Sequence, residues 1–201
     1  MVSHRGIAFG GGIVQRSNTS IERSGSEFGF GFLAVVAVVL IGAALRLVPH
    51  PSNFSPIGAM ALFGGAHLAR RSRLSQVLAF VLPLAAMLLS DAVLGFHNQM
   101  VAVYGSFLLV TALGYGLRAK PAAGRVALAS VAGSLIFFVI TNFSMWAEGG
   151  WYERSAKGLA TCYIAAVPFL QNSLAGDLFF TAVLFGGYAL AQKLVPRLAQ
   201  A

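Results

Sequence analysis

The sequence predicts an all-α integral membrane protein, a six-helix transmembrane bundle, and three observations carry that prediction. Of its 201 residues, 57% are hydrophobic and only 10% charged, with a mean hydropathy of +0.77, too little charge to clothe a water-soluble domain. The apolar residues gather into six stretches, most of them near the ~20 residues that cross a hydrocarbon core as helix. The basic residues alternate between the connecting segments as positive charge does when it collects on the cytoplasmic side.

Residues 1–27 are polar, rich in Gly and Ser, and carry Arg5, Arg16 and Arg23 without apolar periodicity or helix caps. They are expected to form a disordered cytoplasmic tail, or to lie upstream of the true start. The first span is expected over residues 28–48. Its rival reading is a signal peptide, with Arg23 in the basic region and small residues at Gly42 to Ala44; the apolar stretch is long for one and runs on to Arg46. Next comes PHPSNFSPIGAMALFGG at 49–65, a polar loop braced by Pro49, Pro51 and Pro56 and carrying His50, Asn53 and Ser55 between apolar segments. The prolines fix the backbone and remove donors that would need partners, while His50, Asn53 and Ser55 offer hydrogen-bonding groups. The second span, 57–69, is short and therefore begins within the proline loop or crosses a part of the protein that its neighbours cover.

Three further spans are expected over 75–95, 100–117 and 125–146. GLATCYIAAVPFLQ at 158–171, with Pro168 near its end, is too short to cross and reads as a re-entrant or interfacial helix before the last span, 172–192. Residues 28–195 thus form one six-span domain, and 196–201 a cytoplasmic tail. The small-residue repeats Ala61-Gly65-Ala69 and Ala112-Gly116 suit close helix contacts.

With the N-terminus inside, Arg5, Arg16, Arg23, Arg70, Arg71, Arg73, Arg118, Lys120, Arg125, Lys193 and Arg197 are cytoplasmic, leaving Arg46, Arg154 and Lys157 outside. Both termini are then cytoplasmic. The same topology puts the two acids that fall within spans, Asp91 and Asp177, toward the outer side with Arg46. A carboxylate in a span is costly unless paired or hydrated, which makes both functional candidates. Arg46 is the candidate for a structural ion pair with either of them. His50, Asn53, His97, Asn142 and Trp146 fall on the same side, so a site opening outward is expected beneath the 49–56 and 147–157 loops.

The formal charge of +8 comes with no basic stripe interleaved with aromatics, which argues against nucleic acid as a partner. Nothing matches a zinc-binding HExxH helix, a GxSxG elbow or a phosphate-cradling glycine loop, so neither an enzyme nor a cofactor is expected, and the chain carries no ATPase of its own. His50, His97 and Cys162 leave metal binding open, as their spacing forms no recognised ligand set.

RLVPHPSNFSPIGAMALFGGA at 46–66, TNFSMW at 141–146 and GLATCYIAAVPFLQNSLAGDLFFTAVLFG at 158–186 resemble the shared blocks of an uncharacterised bacterial membrane family, a domain of unknown function, over about residues 30 to 192. More loosely, the length, the six spans, the small-residue second helix and the outward polar loops resemble the S components of energy-coupling-factor vitamin transporters. The first span lacks the alanine-x-x-x-alanine pattern with which such components dock their coupling subunit.

This resemblance implies a substrate-binding subunit in the bacterial inner membrane that takes up a small solute of the vitamin or precursor class, energised by an ATP-driven coupling module. From their chemistry and predicted depth, His50, Asn53, Asp91, Asn142, Trp146 and Asp177 are expected to form its site. His50, Asn53 and Asn142 would give directional polar contacts and Trp146 a stacking face; the aspartates would contact a cationic group or hold Arg46. The alternatives are a membrane scaffold without solute, and a membrane enzyme on a lipid-linked substrate using His50 or His97 with Asp91.

Overall fold

A computed structural model describes residues 38, 40–68, 72–117 and 122–194 of the chain. Every regular element among them is helical: α1 over 40–47, α2 Ile57–His67, α3 Arg73–Leu94, α4 Met100–Gly116, α5 Ala123–Glu148 and α6 Ala156–Leu194. The tails expected at 1–27 and 196–201, and the first ten residues of the span expected at 28–48, lie outside the described residues.

The shortest complete helix is the centre of the fold. At 11 residues α2 is about 16 Å long, half a hydrocarbon core, and it is buried on nearly every side. It packs most extensively on α4 and then on α3, α6 and α5. This enclosure is the cover that so short an apolar helix needs. Two glycines set the α2–α4 crossing: a β-carbon on Gly65 would overlap the Thr111 carbonyl oxygen, and one on Gly114 the Leu62 carbonyl oxygen. The backbones therefore touch, as small residues allow when dispersion is the main attraction between apolar helices. Gly65 belongs to the ridge expected at Ala61-Gly65-Ala69. The Ala112-Gly116 pair does not serve this contact, since Gly116 faces open space and Gly114, half a turn away, takes the role.

Three helices, α3, α5 and α6, are long and apolar enough to cross a membrane. Their apolar faces point largely outward: Val93, Leu128, Ile164 and Leu194 are each at least 70% exposed, and only 11% of the most apolar stretch of α6 is buried. Water would penalise so much exposed hydrocarbon, whereas lipid would not.

α6 runs unbroken for 39 residues, about 58 Å. The segment 158–171, expected as a separate re-entrant or interfacial helix, is its first four turns. Pro168 lies inside the helix and removes only one ladder donor, a loss that apolar helices tolerate. α6 lies antiparallel to α5 along its length: Tyr163 donates to the Val139 carbonyl at 2.7 Å, and Thr181 donates to Ser130 at 3.3 Å. Gly149 and Gly150, at φ 78° and 93°, end α5, and Ser155 caps the start of α6 by accepting from the Gly158 amide at 3.1 Å.

Candidate functional site

The 49–56 loop is exposed from Pro49 to Asn53 and turns into the bundle at Phe54 to Pro56. The Phe54 amide closes a turn onto the Pro51 carbonyl at 3.0 Å, and the Phe54 ring packs against Phe179 and Phe180 of α6, centroids 6.2 and 5.6 Å away. Asn172 ties the loop to α6 by donating to the Ser52 carbonyl at 3.0 Å. Asn53 has φ 66°, a left-handed conformation that asparagine adopts more readily than most residues. His50 donates through Nδ1 to the Pro51 carbonyl at 2.8 Å, which leaves Nε2 as an acceptor.

Beneath this loop is a cavity of about 270 Å³ to which every helix contributes. Arg46 comes from α1, Gly58 from the first turn of α2, Met87 from α3, Val103, Phe107 and Val110 from α4, Gly133 and Phe137 from α5, and Ser173 and Asp177 from α6. His50, Asn53 and Ser55 of the loop and His97 of the α3–α4 connection complete the lining.

The choice the sequence leaves open for Arg46 falls on Asp91. The guanidinium meets Asp91 Oδ1 at 2.7 Å, Tyr104 donates to Oδ2 at 2.8 Å, and Arg46 also donates to the Ser90 hydroxyl and, at 3.4 Å, to the Met87 carbonyl. Ser90 can accept because its own proton is shared between the Ala86 and Met87 carbonyls. Asp91 is 1% exposed and stands in the last turn of α3, where the helix dipole disfavours an anion, so the arginine offsets both desolvation and the dipole. Asp91 itself does not line the cavity; it holds Arg46, which does.

Asp177 is differently placed. Ser134 of α5 donates to its Oδ2 at 2.6 Å, and Oδ1 lies against the first turn of α2, where a β-carbon on Gly58 would overlap it. Glycine at 58 lets the carboxylate approach the positive end of α2. Among the described residues, no cation lies within ion-pair distance of Asp177.

Of the residues expected in the site, His50, Asn53 and Asp177 line the cavity, with Arg46, and Asp91 stands behind Arg46. Asn142 and Trp146 do not line it. Asn142 donates to the Phe138 carbonyl of its own helix at 2.8 Å, and its carbonyl faces Cys162. Trp146 donates to the Glu153 carbonyl at 3.0 Å and latches the α5–α6 connection. Tyr104, Ser134, Phe107 and Phe137 were not anticipated. Ser130 and Ser134, four apart on α5, and Asp177 and Thr181, four apart on α6, form facing polar stripes; each is visible in the sequence, but their pairing is not.

His50 and His97 both border the cavity, yet among the described residues no three His, Cys, Asp or Glu side chains form a metal-binding group. A second hollow, of about 500 Å³, lies beside Gln99, Glu148 and Trp151; both polar atoms of the Gln99 carboxamide are buried there without a hydrogen-bond partner.

The profile of a family of unknown function, DUF6580, matches residues 27–198. No curated protein and no solved structure matches the chain.

Proposed function

We propose that this chain, which belongs to the family of unknown function DUF6580, is the solute-binding subunit of a membrane uptake system. One observation carries the reading: the cavity combines a lining drawn from all six described helices with the carboxylate of Asp177, which has no ionic partner among the described residues, beneath the polar 49–56 loop. A bundle that served only to lock helices together would gain nothing from a hollow and an uncompensated charge at its centre, since both lower stability. In this reading the chain crosses the bacterial inner membrane six times with both termini inside, and α2 is the short, buried second span. The cavity opens outward through the 49–56 loop, and a partner or an ion gradient supplies the energy. A solute of the vitamin or precursor class, and an ATP-driven coupling module as the partner, are the specific forms that the S-component resemblance suggests.

The scaffold alternative draws on the saturated Arg46–Asp91 network and the backbone contact of α2 with α4, which would serve rigidity as well as transport. Thiol accessibility separates the two. In a Cys162→Ala background, Ser173→Cys places a thiol on the cavity wall at a position only 6% exposed. A membrane-impermeant maleimide added to intact cells is expected to label it through the cavity. No labelling from outside, with labelling only after the membrane is opened or the protein denatured, overturns the outward solute site.

A further inference from the structure

Resting on the solute-binding reading above, we infer that the cavity takes a small organic cation, whose ammonium group pairs with Asp177 against the aromatic wall formed by Phe107 and Phe137. The argument begins with charge. The lining holds one arginine, one aspartate and the histidines His50 and His97, and Arg46 is committed to Asp91, Ser90 and the Met87 carbonyl. That pair cancels, and Asp177 remains an anion with no ionic partner among the described residues. A single serine hydroxyl satisfies one of the roughly four acceptor positions of a carboxylate. In a bundle surrounded by lipid, such a charge is costly until a cation joins it.

The wall beside the acid selects the kind of cation. Phe107 and Phe137 pack with centroids 5.2 Å apart, and Val103 and Val110 extend the same surface. Aromatic faces attract alkylated ammonium groups, whereas a metal ion of the alkali or alkaline-earth class would need about six oxygen ligands, which valine and phenylalanine do not supply. At about 270 Å³ the space lies just under the range that encloses drug-sized ligands, so the occupant is a metabolite with one charged end and a short body. Asn53 and His50, on the loop above, suit a hydroxyl or carbonyl at its other end.

The test compares two molecules of the same shape. Choline and 3,3-dimethylbutan-1-ol differ by the replacement of the charged nitrogen with carbon, and each is titrated at millimolar concentration against the full chain in detergent while thermal unfolding is followed. Choline is expected to raise the midpoint saturably and the alcohol to leave it unchanged. Asp177→Asn should weaken the choline effect about thirtyfold or more. Phe137→Leu should weaken it several-fold. A shift from the alcohol equal to that from choline, no shift from choline, or a choline shift that survives Asp177→Asn overturns the inference. Should Asp177→Asn fail to fold, the matched pair and Phe137→Leu decide it. A neutral or anionic compound copurifying with the protein would overturn the cation class while leaving a solute site standing, whereas an inaccessible Ser173→Cys thiol would remove the site itself.

Discussion

Arg46 meets Asp91 at 2.7 Å, and this pairing leaves Asp177, not Asp91, lining the cavity. Asp91 is enclosed by Arg46 and Tyr104, whereas Asp177 is held by Ser134 and, among the described residues, has no ionic partner. On the proposed reading, structural support and ligand binding are thus divided between two carboxylates.

Breaking the pair from one side should be severe. Arg46→Leu leaves Asp91 buried and uncompensated, at an expected cost of about 3–5 kcal/mol, whereas Arg46→Leu combined with Asp91→Leu should recover most of it. Reversible unfolding in detergent measures both. A double variant no better than the single one would refute the ion-pair account. Tyr104→Phe, which removes one donor to the same carboxylate, should cost about 1–3 kcal/mol.

Gly114→Val should disrupt the α2–α4 crossing, because its β-carbon meets the Leu62 carbonyl, and destabilise the chain by about 1–3 kcal/mol or more. Gly116→Ala, with nothing within 4 Å, should leave the unfolding midpoint unchanged or slightly raised. Equal effects from the two substitutions would show that helix propensity, not the crossing, governs these positions.

The orphaned Gln99 carboxamide predicts a gain. Gln99→Met, similar in length but without buried polar atoms, should stabilise the fold by about 1–3 kcal/mol and raise the midpoint by a few degrees. A fall in the midpoint would mean that the carboxamide has a partner in the working protein.

What the sequence made legible follows from which forces are local. Charge-poor stretches of helical length announce α3 to α5 and the second half of α6, and the proline loop with His50 and Asn53 announces the roof of the cavity, because composition and proline geometry act within a few residues. Contacts between helices are less readable. Asp91 with Tyr104 and Asp177 with Ser134 depend on helix rotation, which no spacing within one helix reveals. Asn142 and Trp146 were expected at the site because their depth along α5 is suitable, but depth says nothing of direction, and both side chains bond to backbone of α5 or of its connection to α6. Pro168 suggested a helix end between 158–171 and the last span. A long helix absorbs one missing donor, so α6 runs on.

The central claim, that a small molecule occupies the cavity under the 49–56 loop, is tested most directly by mass spectrometry of compounds released from the detergent-purified protein and from Asn53→Gly prepared identically. Glycine keeps the left-handed backbone at 53 while removing the side chain that lines the cavity, so the fold should be retained. A compound released from the parent and lost from Asn53→Gly is the predicted result. The same compound retained equally by both proteins, or none released by either, would contradict the claim.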